Sequence, residues 1–366
     1  MREGLKFITW PAIAGLLAAL LILDRWVMPG SDRNGASAAT PATFAPAVAR
    51  ATPAVVNIYI AKLVKTANPL LENRLTLAQR MPRQRIERSL GSGVIMTDAG
   101  HILTNHHVIA GADAIQVLLH DGRSASAVVV GSDTATDLAV LRINLPDLTP
   151  IELADSNTLS VGDVVLAIGN PLGFGHTVTQ GIVSALGRYG LQLGVYEDYI
   201  QTDAIIHQGN SGGALIDTRG KLLGINTLIY TSSNQAGAAA TGIGISLAIP
   251  INLATYIMQD LIEYGEVIRG WLGVSVEPIR LTSGGQQQAL MVVAIAENSP
   301  ALRAGVMPGD IITHIDGEPV VDGRQTMHQI AQLRPGDAIA VTVQREQQSL
   351  ELRAVVGVQG QSSPAS

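Results

Sequence analysis

The chain has no cysteine among its 366 residues. Disulfides, zinc–thiolate sites and thiol nucleophiles are therefore excluded, although the redox compartment stays open because a cysteine-free chain is stable in either. Charged residues make up only 15% and the net charge is −6, so we expect no broad surface for nucleic acid. Hydrophobic residues reach 47%, enough for the cores of the two or three domains that this length predicts.

One long apolar run lies near the N-terminus. Residues 7–23 (FITWPAIAGLLAALLIL) carry no charge, and about 17–25 such residues cross a bilayer core. Arg2 and Lys6 precede the run, so the positive-inside rule leaves the N-terminus in the cytoplasm. A cleaved signal peptide is the alternative, but its best small-residue site, residues 36–38, lies well past the run. We predict a cytoplasmic tip and transmembrane anchor over residues 1–29.

The rest of the chain changes texture several times. Residues 30–47 are rich in Gly, Ser, Ala, Pro and Thr, which predicts a flexible linker. Over residues 48–265, short β-branched runs alternate with turn residues, which indicates a sandwich or two packed barrels rather than alternating β-α units. Residues 266–358 form a second unit, and residues 359–366 a disordered tail.

Two segments of the first unit stand out from the strand pattern. Residues 251–264 predict a helix, with Ile251, Ala254, Met258 and Leu261 on one face. Residues 62–90 are polar and Arg-rich, and we expect a long surface loop there.

Three glycines surround Ser211 in the stretch HQGNSGGAL, residues 207–215. Glycines bring backbone N–H groups close to a reacting atom, and the N–H groups of Gly209 and Ser211 are suited to an oxyanion hole. The stretch also fits the G-x-S-x-G elbow of α/β-hydrolases, whose triad runs in the order Ser, Asp, His. After Ser211 the only histidines are His314 and His328, both in the second unit. The elbow interpretation therefore fails.

The order His, Asp, Ser does fit. TNHHVI carries His106 and His107 after a predicted strand, and Asp137 begins the apolar run DLAVLRI. Each piece alone has an ordinary interpretation as a surface histidine, a turn aspartate or a glycine-rich turn. Together, and far apart in sequence, they favour a catalytic triad in a cleft between two barrels.

TNHHV, TDLAVL and GNSGGAL, in that order, resemble the triad blocks of the HtrA family of trypsin-like serine proteases. The resemblance covers nearly everything from residue 45 to 358. It implies a mainly β chain, with a trypsin-like double β-barrel protease domain followed by a C-terminal PDZ domain. It assigns the base to His107, the acid to Asp137 and the nucleophile to Ser211, with an oxyanion hole at Gly209, Asn210 and Ser211.

The resemblance implies no cofactor. A metal site at His106 and His107 is disfavoured, because adjacent side chains on a strand point to opposite faces. We expect the substrate pocket to be lined by Ile206, His207, Ile225, Asn226 and Thr227. The position where a trypsin-like pocket carries an aspartate to bind a substrate Lys or Arg has no aspartate here. We therefore expect a small aliphatic substrate residue before the cleaved bond.

The PDZ resemblance implies a peptide-binding loop at WLGV. Its backbone N–H groups would bind a C-terminal carboxylate, and the peptide would add as a strand. The residues are Trp271, Leu272, Gly273 and Val274, with charge from Arg269. Two flexible stretches suit a switch, namely residues 231–242 and a sensor-like loop at 187–199 that carries Arg188.

One PDZ domain, an anchor and a short tether are similar to the membrane-anchored stress-sensor branch of the family. That branch implies a homotrimer in the bacterial inner membrane, single-pass, with its catalytic and PDZ domains in the periplasm. The PDZ domain would bind C-terminal peptides of misfolded outer-membrane proteins, and the protease would cut the periplasmic domain of an anti-sigma factor. The alternatives are a general periplasmic quality-control protease of unfolded proteins and a catalytically silent PDZ scaffold.

Overall fold

The computed structural model describes residues 15–16, 18–19, 43–66, 83–170, 175–188, 197–207, 209–230, 245–280, 288–320 and 323–358. The chain divides into two units, residues 1–45 and 46–366. In the first unit the described positions 15, 16, 18 and 19 are helical. Among the residues described, no helix is long and apolar enough to cross a membrane. Apart from those four positions, the predicted anchor lies outside the described residues, as do the tail and residues 30–42 of the linker. Residues 45–47, at the end of the predicted linker, are helical instead.

Five α-helices occur in the described residues from 43 to 358, and α3 is the longest. Its apolar face is buried as predicted, and it begins directly after Pro250 and is capped by Tyr264. The helices are α1 (Ala45–Ala51), α2 (His106–Ile109), α3 (Ile251–Glu263), α4 (Pro300–Arg303) and α5 (Gly323–Gln332).

Seven antiparallel strands form the first sheet, in the order β5-β4-β1-β2-β3-β7-β6. Its strands are β1 (Val55–Thr66), β2 (Arg83–Ile95), β3 (His101–Asn105), β4 (Ala114–Leu118), β5 (Ser124–Ser126), β6 (Val128–Asp133) and β7 (Leu138–Arg142).

The predicted loop over residues 62–90 was wrong at both ends. β1 and β2 pair continuously from Val55↔Val94 out to Thr66↔Arg83. The runs AKLVKT and RQRIERSL mix β-branched and long polar residues, which suit a two-stranded ribbon better than their polarity suggested. Residues 67–82 lie outside the described part of the chain.

The second sheet closes into a six-stranded barrel, in the order β10-β13-β12-β11-β8-β9. Its strands are β8 (Val164–Gly169), β9 (Thr177–Arg188), β10 (Tyr199–Thr202), β11 (Ala214–Ile216), β12 (Leu222–Tyr230) and β13 (Ile245–Pro250). Its core is fully buried and aliphatic, and includes Val165, Ile200, Leu215 and Ala248. The predicted mainly β protease fold is confirmed.

A separate antiparallel sheet with its own aliphatic core makes up the C-terminal module. Its main strands are β15 (Val274–Arg280), β16 (Gln288–Ile295), β17 (Ile311–Ile315), β18 (Glu318–Pro319), β19 (Ala338–Arg345) and β20 (Gln348–Val355). The short strands β14 (Gly270–Trp271) and β21 (Gly357–Val358) pair beside it.

Candidate active site

The predicted base lies on a helix and not on a strand. β3 ends at Asn105, and the chain turns at once into α2, whose first two residues are His106 and His107. The strand geometry that we used to disfavour a paired metal site is therefore wrong. The His107 side chain is 40% exposed, whereas His106 is half-buried and its Nδ1 atom meets no partner among the described residues.

Asp137 binds both the side chain and the backbone of His107. Its Oδ2 atom lies 2.7 Å from His107 Nδ1, and its Oδ1 atom accepts the His107 backbone N–H at 2.9 Å. Because an ionised carboxylate only accepts, the imidazole proton stands on Nδ1 and Nε2 is left to accept another.

Asp137 is held from several sides. It adopts a left-handed backbone (φ 58°) immediately before β7, a conformation that aspartate tolerates better than most residues. Its carbonyl oxygen accepts hydrogen bonds from Asn105 Nδ2 and from the His106 N–H, both at 3.0 Å. Its Oδ2 atom also accepts from Thr227 Oγ1 at 3.0 Å. The carboxylate is thus fixed before any substrate binds.

The loop around Ser211 explains its glycines. Gly209 and Gly212 have left-handed φ values of 97° and 81°. A Cβ atom on Gly212 would lie 2.1 Å from the Ser92 carbonyl oxygen, and one on Gly213 would lie 2.3 Å from a carbonyl of β8. No side chain fits at either position, so the loop packs directly against the backbone of both sheets.

The Ser211 hydroxyl donates to the carbonyl oxygen of Thr227 at 2.6 Å. The acid and the base are therefore assembled, while the proton of the serine is bonded to the backbone of β12. Delivery of that proton to His107 requires a rotation of the Ser211 side chain. Thr227, predicted only as a pocket residue, thus contacts two of the three predicted triad residues.

Asn210 does not fit the predicted oxyanion hole. Its N–H donates to the His207 carbonyl oxygen at 2.9 Å and closes a turn, so it is not directed at a substrate. Within the part of the chain that the structure describes, the N–H groups of Gly209 and Ser211 meet no acceptor. Only these two of the three predicted donors are suited to an oxyanion.

Part of the predicted substrate pocket is core instead. Ile206 is 1% exposed and packs inside the barrel. Ile225 and Asn226 are fully buried, and Asn226 Nδ2 donates to the Ala214 carbonyl oxygen at 3.0 Å. These three residues support the site because barrel closure turns them inward. His207 is exposed, and Thr227 faces the nucleophile.

The predicted peptide-binding loop of the C-terminal module has suitable backbone geometry. Gly273 is left-handed (φ 77°), and the carbonyl groups of Leu272 and Gly273 accept bonds from Ala301 at 3.0 Å and Ala296 at 2.8 Å. In the described residues no acceptor faces the N–H groups of Leu272 and Gly273. Leu272 of the loop also lines a small apolar cavity of about 10 Å³, which lies within the core of the module beside Leu290 and Ile330.

Arg269 was wrongly placed at that loop. Its guanidinium group binds the carboxylate of Asp133, at the end of β6, with distances of 3.0 and 2.5 Å. The side chains are only 18% and 9% exposed. Burial raises the pKa of Asp133, but the bonds from Arg269 and Thr136 outweigh it and hold that pKa below its usual value. Arg269 therefore joins the C-terminal module to the first sheet.

A second arginine makes a parallel connection. Arg334 binds the buried Asp260 of α3 and lies 4.7 Å from the ring centre of Tyr256. Asp260 also accepts the Ile268 N–H at 3.0 Å. Both domain contacts thus use a buried aspartate of the protease part.

Arg188 lies at the end of β9, where its Nε atom donates to Gln201 Oε1 at 2.8 Å. Residues 189–196 of the predicted sensor loop and the predicted activation loop, residues 231–242, lie outside the described residues. The coupling role of Arg188 stays a prediction.

A His–Asp pair beside a serine in a glycine loop, between two packed β sheets, defines a trypsin-like serine endopeptidase. The family model for the trypsin-like peptidase domain matches residues 91–225 of this chain, and the family model for the PDZ domain matches residues 270–356.

The serine endoprotease DegS of Escherichia coli K12 is 45% identical over 323 residues, covering 87% of this chain and 86% of DegS. The periplasmic pH-dependent serine endoprotease DegQ of the same strain is 38% identical, over 88% of this chain and 71% of DegQ. A solved structure of the HtrA-type protease AlgW with a decapeptide shares 46% identity and a TM-score of 0.71, covering 87% of this chain and 99% of that one. The chain belongs to the HtrA family, in the one-PDZ form that DegS and AlgW represent.

Proposed function

We propose that the chain is a membrane-anchored periplasmic endopeptidase that senses envelope stress, with His107, Asp137 and Ser211 as its catalytic triad. The observation that carries the catalytic part is the double hydrogen bond from His107 to Asp137, at 2.7 and 2.9 Å. It fixes both the tautomer and the orientation of the imidazole, which is what a general base requires.

The proposed reaction proceeds in two steps. Ser211 Oγ loses its proton to His107 Nε2 and attacks the peptide carbonyl carbon, and the N–H groups of Gly209 and Ser211 stabilise the oxyanion. His107 then protonates the leaving amine, and water hydrolyses the acyl-enzyme by the same path. Asp137 stays ionised throughout and stabilises the imidazolium.

In this proposal the C-terminal module controls the protease. The N–H groups of Leu272 and Gly273 bind the C-terminal carboxylate of a misfolded outer-membrane protein. The AlgW structure with a decapeptide supports such binding. Titration with decapeptides that end in a free or an amidated carboxylate tests this directly, since only the free form should bind.

The cellular role follows from the sequence and the relatives. The apolar run at residues 7–23 supports an inner-membrane anchor, and the name of DegQ supports a periplasmic location. The proposed assembly is a homotrimer, and the proposed substrate is the periplasmic domain of an anti-sigma factor. Cleavage of that domain only when decapeptide is added supports the sensor. Broad digestion of β-casein without peptide favours the quality-control alternative.

We further propose that Arg188 couples the peptide-binding module to the oxyanion loop. A ligand shifts such an equilibrium only by binding the active state better, and the coupling is usually worth about 1–3 kcal/mol. Arg188→Ala should therefore reduce the activation by decapeptide about 5- to 150-fold. Unchanged activation in this variant contradicts the coupling role without affecting the triad.

A further inference from the structure

Ser92 connects the first sheet to the loop that carries the nucleophile. It lies on β2 and is fully buried. Its hydroxyl donates to the Gly209 carbonyl oxygen at 2.7 Å and accepts the Asn170 N–H at 2.9 Å. Its own N–H donates to the Ser211 carbonyl oxygen at 2.9 Å, and its carbonyl oxygen accepts from Thr104 Oγ1 at 2.7 Å.

The bond to Gly209 fixes one peptide group of the loop. In a planar trans peptide the C=O and the following N–H point in opposite directions. Holding the Gly209 carbonyl oxygen on Ser92 therefore turns the Asn210 N–H away from Ser92, where it meets the His207 carbonyl oxygen at 2.9 Å. The orientation of the Gly209–Asn210 peptide group is determined at both of its ends.

The bond to Ser211 fixes a second peptide group in the same way. The Ser211 carbonyl oxygen is bound by the Ser92 N–H, and the N–H on the other side of that peptide, from Gly212, donates to the Asn226 carbonyl oxygen at 2.8 Å.

The peptide group between these two carries the Ser211 N–H. Its carbonyl oxygen, from Asn210, accepts the Gly213 N–H at 2.9 Å. The Ser211 N–H therefore points to the opposite side and has no acceptor among the residues described. The two peptide groups that flank the one with the Ser211 N–H thus take their orientation from one buried serine.

We propose that Ser92 is a positioning residue for the oxyanion hole, which aligns the N–H group of Ser211 with the developing negative charge. This inference rests on the proposed function, because it assigns a role in the same site. The ordinary alternative is a buried serine that only satisfies neighbouring polar groups. That alternative predicts a loss of stability without a selective loss of transition-state binding.

The test compares Ser92→Ala with Thr52→Val in the full chain, purified in detergent. Thr52→Val is the matched control, since the Thr52 hydroxyl also donates a 2.7 Å hydrogen bond to a backbone carbonyl oxygen, that of Val48 in α1. Ser92→Cys keeps the volume with a weak donor, in case Ser92→Ala fails to fold. The measurements are kcat and KM on β-casein, the rate constant for labelling by a fluorophosphonate, and Tm. Each is made with and without a pool of decapeptides ending in Val, Leu, Ile or Phe.

We expect Ser92→Ala to lower kcat about 10- to 100-fold, somewhat less than the loss of a direct oxyanion donor. KM should stay within about threefold, and the labelling rate should fall by the same factor as kcat. The control should lose a similar amount of Tm and keep its kcat. The pH midpoint of kcat/KM should not move, because the bonds between His107 and Asp137 do not involve Ser92.

A kcat within about twofold of wild type, with a lowered Tm, would overturn the inference, as would an effect on KM alone. The proposed function has its own test in Ser211→Ala. Activity that survives this change defeats the assignment of Ser211 as the nucleophile. Normal activity of Ser92→Ala beside an inactive Ser211→Ala defeats only the positioning role.

Discussion

Removing Arg269 should weaken the attachment of the C-terminal module. The Asp133 side chain is 9% exposed beside Arg269, and among the described residues Arg269→Ala leaves it the N–H and hydroxyl bonds of Thr136. Removal of one partner from a buried ion pair lowers the unfolding free energy by about 3–5 kcal/mol. Because the Arg269 side chain is 18% exposed, we expect a loss of unfolding free energy near the lower end of this range, about 3 kcal/mol.

A double-mutant cycle with Asp133→Asn measures the pair itself. Urea unfolding followed by fluorescence is suitable, because Trp271 is the only tryptophan in residues 46–366 and lies in the module. If the pair acts as described, the two single changes should not add, and the coupling energy should be about 2 kcal/mol. Additivity within about 0.5 kcal/mol would refute the reasoning.

The same pair should respond to acid. The pKa of Asp133 is lowered in the folded chain, so its contribution is complete above the ordinary aspartate value, about 3.9, and is lost as pH falls through the lower folded value. The coupling energy should be constant from pH 8 to 5 and decline only below about pH 4. A decline that begins near pH 6 would point to a histidine instead.

Three further changes test the catalytic geometry. Asp137→Asn should lower kcat about 10⁴-fold with little change in KM, because His107 loses the acceptor that fixes its tautomer. Steady-state kinetics check this prediction, and a decrease in kcat of less than about tenfold contradicts it. Thr227→Val removes one bond to Asp137 and should lower kcat about tenfold while Tm changes little; an unchanged kcat would show that the bond is dispensable. Gly212→Ala should abolish activity and lower the unfolding free energy by at least about 2 kcal/mol, because its Cβ collides with the Ser92 carbonyl oxygen; a folded, active variant contradicts the assigned backbone.

Local pattern was enough for much of the fold. The strand runs, the start and buried face of α3 and the crowded glycines around Ser211 follow from periodicity and backbone chemistry that act within a few residues. The His, Asp, Ser order also predicted which three side chains to examine. The structure brings His107 and Asp137 together. It also brings Ser211 to the carbonyl oxygen of Thr227, whose hydroxyl binds Asp137.

The remaining features depend on contacts that no local pattern contains. Arg269 binds Asp133, which is 136 residues away in sequence. The charge of Arg269 alone suggested that it would bind the C-terminal carboxylate of a peptide. Ser92 lies in the short sequence GSGVI, residues 91–95, but its bond to Gly209 exists only because two sheets pack together. Ile206 was assigned to a pocket because of its place beside the serine loop, whereas closure of the barrel turned it into the core.

The most direct test of the central claim is site-specific labelling by a fluorophosphonate, with the modified residue located by mass spectrometry. We predict a single labelled residue, Ser211, with the reaction lost in Ser211→Ala and slowed at least about 10³-fold in His107→Ala. Labelling at another serine, or a rate that does not depend on His107, would contradict the proposed triad.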